Sequence, residues 1–176
     1  EARHERERSR AAARAVEDSG GVTLIPALAG LGAPHWRPDV TGRIIGLSLA
    51  TRREHILRAA LESMAHQCQD LATAFAADGA AWTHLRVDGG MSANNWMAQD
   101  LADILGVEVE RPADVETTAL GAAMLAAVGA GLYPSLEAAK VMRAPSTRFT
   151  PAMAADVRHA RLAQWSTAMA ALLAQP

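Results

Sequence analysis

The arrangement of apolar and polar positions predicts one long helix with short elements on either side. After Thr51, apolar side chains recur at alternating steps of four and three residues, which is the spacing of one helix face. They are Leu57, Leu61, Met64, Cys68, Leu71 and Phe75. Thr51 and Glu54 have the spacing of a capping box, and Gly79 predicts the end of the helix.

Shorter apolar runs predict strands at residues 22–26, 44–48, 85–88 and 107–110. Helices are predicted at about 93–105, stopped by Gly106, and from about 118 to 129 or 131. Ser135 caps a short helix, and Thr150 with Pro151 starts the last one. This alternation predicts an α/β fold, and the hairpin-like first pair of strands predicts a mixed sheet flanked by helices.

The charged start of the chain is the one segment that the pattern leaves open. Residues 1–18 carry five arginines and five acidic residues and are expected to form either a solvated helix or a frayed end. We therefore expect a charged extension over residues 1–18 and a single domain over residues 19–176.

Composition narrows the classes of function. The chain has 176 residues, half of them apolar, and a net charge of −2 with both signs interspersed, so no basic stripe for nucleic acid is present. No apolar run is long enough to span a membrane, and the charged start is not a signal peptide. Cys68 is the only cysteine and the six histidines lack metal-ligand spacing, so neither a disulfide framework nor a metal site is predicted.

The best candidate for chemistry is the segment of residues 88–95, DGGMSANN. It follows a predicted strand and opens a helix, so its glycines allow close approach to the backbone and the helix start offers free N–H groups. The amides of Asn94 and Asn95 can read the edge of a base or a ribose. The pattern fits a nucleotide-binding loop, and it also fits a plain strand-to-helix turn with an asparagine cap.

Two other segments are weaker candidates. Residues 116–123, ETTALGAA, present a helix face of small residues that favours close helix packing, with Thr117 and Thr118 as caps. Residues 30–36, GLGAPHW, form a glycine-rich and proline-containing loop. Trp36 in this loop either walls a small polar substrate or plugs the loop onto the core.

Several of these segments resemble one known family. Residues 42–47 (GRIIGL), a gap of seven residues, and residues 55–62 (HILRAALE) match the C-terminal signature of the FGGY carbohydrate kinases. The stretches GLGAP at 30–34, RVDGG at 86–90, ANN at 93–95, VERP at 109–112 and TALGAA at 118–123 are similar to the glycerol-phosphorylating members. The resemblance runs from about residue 20 to residue 165.

The resemblance implies a two-domain enzyme of the actin-like, ribonuclease-H-like ATPase class, of which this chain holds the latter part of the C-terminal domain. Such an enzyme transfers the γ-phosphate of ATP, with Mg²⁺, to glycerol and forms sn-glycerol 3-phosphate. The family's catalytic aspartate and triphosphate loop precede this chain, so no catalytic or metal residue is assigned here. Gly90 and Asn94 match the family's nucleotide contacts.

From this resemblance we expect a cytoplasmic chain that supplies part of an ATP site and is inactive without the N-terminal domain. A homo-oligomer is compatible with it. Two alternatives stay open. One is another FGGY kinase, of the xylulose or gluconate type, against which the GLGAP loop argues; His35, where the family usually has tyrosine, leaves a polyol other than glycerol open. The other is a non-catalytic actin-like module that binds a nucleotide or a partner protein.

Overall fold

The computed structural model describes residues 11–175. Within these residues the strands number five: β1 (Thr23–Ile25), β2 (Arg43–Ile45), β3 (His84–Arg86), β4 (Glu108–Pro112) and β5 (Ser146–Phe149). The helices with both ends among the described residues are α1 (Arg53–Ala77), α2 (Gly89–Ser92), α3 (Asn95–Leu105), α4 (Thr117–Gly129), α5 (Leu136–Ala139) and α6 (Ala155–Leu173); residues 11–14 are also helical. A 3₁₀ turn, Lys140–Met142, follows α5.

The strands form two separate sheets. β1 and β2 pair antiparallel, with Leu24 opposite Ile44. The second sheet has the order β3-β4-β5; β3 and β4 run parallel, whereas β4 and β5 run antiparallel. The predicted mixed sheet is thus confirmed, but β5 makes it mixed and the first pair of strands lies apart from it. The sequence pattern did not predict β5.

The start of α1 differs from the predicted capping box. The helix begins at Arg53, and the backbone N–H of Arg52 donates to Nδ1 of His55 at 3.2 Å. Thr51 lies before the helix, where its hydroxyl oxygen accepts from the N–H of Ser48 at 2.9 Å. The Thr51–Glu54 box is therefore wrong, because an imidazole nitrogen three residues into the helix takes the role expected of glutamate.

The predicted apolar stripe of α1 is not its most buried face. The side chains most shielded from solvent are small or polar: Ala59, Glu62, Ser63, Ala65 and His66. The stripe residues are half-buried, and Phe75 is exposed. Helix α1 packs against α3 and β1, and Ala65 of this face belongs to the apolar cluster that contains α3.

The start of α6 also differs from the prediction at Thr150 and Pro151. The helix begins at Ala155, and the carboxylate of Asp103 accepts from the N–H groups of Ala152 and Met153 at 2.6 and 3.2 Å. These bonds hold residues 150–153 as a loop. Two other predicted helix ends are confirmed: Gly106 ends α3 in the left-handed conformation (φ 69°), and the Ser135 hydroxyl caps α5.

Two apolar clusters form the core. One lies between the end of β1 with the segment after it and the C-terminal half of α6, and includes Ile25, Trp165 and Leu172. The other joins α3 to β4 and β5 through Leu101, Ile104, Val109 and Phe149, among others. The second cluster fixes α3 against the sheet and so positions the loop that precedes it.

The described part of the charged start packs on the domain. Ala13 and Val16 are buried, and the guanidinium of Arg58 donates to the carbonyl of Glu17 at 2.9 Å. Residues 11–14 are helical, as one of the two alternatives predicts, but the segment is not solvated on every side; the rest of the predicted extension lies outside the described residues. Within residues 11–175, no helix combines the length and apolar character needed to cross a membrane.

Candidate functional site

The loop between β3 and α3 is built as a strand-to-helix turn in two steps. After β3, the chain enters the short helix α2 at Gly89, whose φ is +78°. The N–H of Gly89 donates to the carbonyl of Val115 at 2.9 Å, and the Ser92 hydroxyl donates to the carbonyl of Gly89 at 2.8 Å. The loop is therefore tied at its start to the segment that leads into α4.

Asn94 is the N-cap of α3. Its Oδ1 accepts from the N–H of Trp96 at 3.1 Å, and the residue is only 5% exposed. Its Nδ2 is buried and has no hydrogen-bond partner among residues 11–175. The predicted asparagine cap is confirmed. Because Nδ2 is sealed from solvent, a ligand reaches it only when the atoms that cover it move.

Gly90 lies on the open side of the loop. The residue is exposed, and a Cβ built on it would have no described atom within 4 Å. A flat or extended ligand can therefore approach the backbone here without meeting a side chain. Of the two residues predicted from the motif, Gly90 offers access and Asn94 offers a shielded amide.

Two arginines from neighbouring elements touch this loop and the start of α3. Nη1 of Arg111, in β4, donates to the carbonyl of Ser92 and to Oδ1 of Asn95, both at 2.8 Å. The guanidinium of Arg58, in α1, lies 4.1 Å from the centre of the Trp96 ring. The sequence analysis did not assign a role to either arginine, although both lie within motifs that it quoted.

A cleft of about 570 Å³ adjoins the loop on the other face of the sheet. Its walls are the ends of β3 and β4, the first turns of α4 and residues 143–146. Arg86 pairs with Glu110 across the strands at 3.3 Å, and the Thr117 hydroxyl donates to the carboxylate of Asp88. A hydrogen bond from Ser146, followed by the charge of Arg86, holds the pKa of Glu110 below its usual range. The sequence signal for this charged face was the alternation of charged residues in β3 and β4.

The two weaker candidate segments, residues 116–123 and 30–36, do not pack as expected. A Cβ on Gly121 would meet no described atom within 4 Å, so the close helix packing predicted for residues 116–123 is absent from residues 11–175. Thr117 bridges to Asp88 and does not cap α4. Trp36 is 74% exposed at a φ of 51°, so it does not plug its loop onto the core.

The loop around Trp36 is attached through its neighbour. Nε2 of His35 lies 3.2 Å from Oδ2 of Asp70 in α1, and the same oxygen accepts from Nε1 of Trp165 at 3.0 Å. This pair of contacts joins the loop to α1 and α6. Nowhere in residues 11–175 do three or more histidine, cysteine or acidic side chains form a group that could hold a metal ion.

Comparison with known sequences identifies the class of protein to which this α/β fold and its glycine loop at the end of β3 belong. Residues 1–130 match the model of the C-terminal domain of the FGGY family of carbohydrate kinases. The chain belongs to this family. The match begins at residue 1 and so includes the charged segment 1–18, whose boundary with the domain stays a prediction.

The relatives it matches include glycerol kinases. The chain is 49% identical over 161 residues to the glycerol kinase of Coxiella burnetii (strain Dugway 5J108-111), an alignment that covers 92% of this chain and 32% of the relative. This chain thus spans about a third of the length of the curated relatives it matches.

Solved structures agree on the fold. The Plasmodium falciparum glycerol kinase with ADP superposes with a TM-score of 0.82 at 31% identity, over 97% of this chain and 34% of that one. The xylulose kinase from Rhodospirillum rubrum superposes with a TM-score of 0.76 at 25% identity, over 95% of this chain and 34% of that one. The expected C-terminal domain of an actin-like kinase is confirmed.

Proposed function

We propose that this chain is the C-terminal part of a glycerol kinase, which transfers the γ-phosphate of ATP to glycerol and forms sn-glycerol 3-phosphate. The observation that carries the proposal is the 49% identity to a glycerol kinase over 92% of the chain. The higher TM-score and identity with the glycerol kinase than with the xylulose kinase favour glycerol over a sugar substrate.

In this proposal the chain supplies one side of the nucleotide site. The nucleotide approaches the exposed backbone at Gly90, where no described side chain obstructs it. Asn94 caps α3 with its Oδ1 and has an unpaired Nδ2 that can donate to the nucleotide once the side chains that cover it move, while the backbone of the loop stays in place. The start of α3, with its partial positive charge, favours the anionic phosphates on that side.

The reacting groups belong to the other part of the enzyme. Phosphoryl transfer depends on the positioning of the two reactants and on the neutralisation of charge, to which Mg²⁺ would contribute by offsetting the negative charge of the nucleotide. Residues 11–175 contain no group of side chains suited to hold the ion. We therefore assign Mg²⁺ to the nucleotide and to the N-terminal portion, and we expect this chain alone to be inactive. We also propose that the enzyme is cytoplasmic, since it would use ATP.

The test is to restore the missing portion. This chain is fused to the N-terminal two-thirds of the Coxiella burnetii glycerol kinase, and ADP release is measured with Mg²⁺-ATP and glycerol, xylulose or gluconate. Glycerol-dependent turnover by the fusion, with none by the chain alone, is the expected result. Because the N-terminal portion supplies the reacting groups, the same chain is also fused to the corresponding portion of the Rhodospirillum rubrum xylulose kinase; turnover of xylulose by that fusion, with none of glycerol by the first, would move the chain to another branch of the family. A folded fusion that binds ADP without turning over any of the three would indicate a non-catalytic module.

A further inference from the structure

Arg111 makes a set of contacts with the loop that the proposed function does not yet use. Its Nη1 donates to the carbonyl of Ser92, in the last turn of α2, and to Oδ1 of Asn95, the first residue of α3, both at 2.8 Å. Its guanidinium lies over the ring of Phe149, with 5.2 Å between Cζ and the ring centre. Phe149 is buried in the cluster between α3 and the sheet. One side chain therefore joins both halves of the loop to the core.

The loop needs such a contact because its own sequence gives it little to pack. Gly89 and Gly90 have no side chains, and glycine loses more backbone freedom on ordering than any other residue. The bond from Ser92 to Gly89 and the bond from the Asn94 N–H to the carbonyl of Met91, at 3.2 Å, lie within the loop. Bonds of this kind shape the loop but do not attach it to the sheet.

Attachment comes from the parallel neighbour of β3. The N–H of Gly89 donates to Val115, at the start of the loop, and Arg111 binds at its end. The pairing of Arg86 with Glu110 puts Arg111 one residue beyond the last pair of β3 and β4, level with the start of the loop. From this position the side chain of Arg111 reaches across to Ser92 and Asn95, where the loop turns into α3.

We propose that Arg111 is a positioning residue for nucleotide binding: it holds the Gly90–Asn94 loop in one conformation before the nucleotide arrives. The inference rests on the proposed function in that the loop is taken to bind ATP. A loop that is already ordered binds more tightly, because the free energy needed to order it does not reduce the binding free energy. Hydrogen bonds from a charged donor contribute more than neutral ones. We expect loss of Arg111 to raise the KM for ATP roughly tenfold.

The first experiment measures loop order without any nucleotide. Amide hydrogen exchange of residues 89–95 is followed in the 176-residue chain with Arg111→Met, Arg111→Lys and Arg148→Met. Since one nitrogen makes both bonds, a lysine ammonium can reproduce them, whereas methionine keeps the bulk and loses both donors. Arg148, on the neighbouring strand, pairs with Glu108 at 3.6 Å and serves as the matched control.

Exchange at residues 91–95 is expected to rise in Arg111→Met and to stay near the original rate in Arg111→Lys and Arg148→Met. Exchange in the middle of α3 serves to show that Arg111→Met remains folded. Unchanged exchange of the loop in a folded Arg111→Met overturns the positioning role, whatever the protein binds. If Arg111→Met does not fold, Arg111→Gln takes its place, and unchanged exchange of the loop in a folded Arg111→Gln also overturns the positioning role.

The second experiment measures the kinetics of the fusion described above. A positioning role predicts that Arg111→Met raises the KM for ATP with kcat and the KM for glycerol unchanged, and that Arg111→Lys restores most of the affinity. A merely structural role would lower kcat through loss of folded enzyme and leave the KM for ATP as it was. If the original fusion neither binds nor uses ATP, the proposed function is wrong, while the exchange experiment still decides whether Arg111 orders the loop.

Discussion

His66 should make the domain less stable as the pH falls from 8 to 5. The ring is 6% exposed, stacked on Trp165 with 5.1 Å between ring centres, and its Nε2 has no partner among the described residues. Burial, and after it the charge of Arg161, lowers the pKa of His66 from 6.5 to about 3. The imidazole is therefore neutral in the folded chain over a pH range in which the unfolded chain protonates it.

The size of the effect follows from this difference in pKa. A group whose pKa is depressed by folding stabilises the folded state fully above its unfolded pKa, and this contribution is lost as the pH falls below that value. A pH of 5 is about 1.5 units below the pKa of 6.5 of the unfolded histidine, whereas the folded histidine is still neutral at this pH. At about 1.4 kcal/mol per unit, the loss from pH 8 to pH 5 is about 2 kcal/mol.

Urea unfolding at pH 8, 6.5 and 5, followed by tryptophan fluorescence, measures this loss. His66→Phe keeps the stacked ring and removes the titrating group, so its free energy of unfolding should fall by about 2 kcal/mol less between pH 8 and pH 5 than that of the original chain. His159, exposed on α6, provides the matched control, and His159→Phe should follow the original chain. Parallel curves for His66→Phe and the original chain would refute the reasoning.

Three further outcomes are expected. Arg161→Met leaves the buried carboxylate of Asp100 unpaired, and should lower the free energy of unfolding by about 3–5 kcal/mol in urea titrations at pH 7, against less than about 1 kcal/mol for the exposed Arg86→Met. Gly90→Val should keep the melting temperature and weaken the binding of ATP, but not of glycerol, to the fusion. Gly129→Val, the control, should change neither affinity. A raised KM for glycerol alone would contradict this prediction. Asn94→Ser keeps an acceptor for the helix cap and loses Nδ2, so it should change the stability little. Its affinity for ATP should fall by about three- to tenfold. An unchanged affinity for ATP would remove Asn94 from the site.

The periodicity of apolar residues predicted which elements exist better than it predicted their ends or their buried faces. Helix α1 was recognisable from its stripe, yet its most buried face carries Glu62 and His66, because Arg58 pairs with the carboxylate and Trp165 stacks on the ring. Strand β5 was missed since only Phe149 of its four residues is buried, so its sequence has no apolar alternation. Such features depend on contacts between distant segments, which a local pattern does not contain.

The sequence likewise predicted the local features of the candidate site better than its packing. The motif of residues 88–95 located the loop, its glycines and the asparagine cap, since these are local properties of a strand-to-helix turn. The motif alone did not show that Nδ2 of Asn94 is sealed, nor that the hydroxyl of Thr117 bridges to Asp88. Both facts arise from the packing of α3 and α4 beside the sheet, and burial of an amide cannot be read from its neighbours in sequence.

The loop meets two opposing physical demands, and the structure separates them between different residues. Close approach of a ligand to the backbone needs glycine, and Gly90 leaves the space around its Cα open. Glycine, however, supplies no side chain that could hold the loop in place, so order must come from outside it. The Val115 carbonyl at one end and the Arg111 guanidinium at the other provide it. Exchanging these roles would fail, because a side chain bulky enough to order the loop from within would occupy the space that the ligand needs.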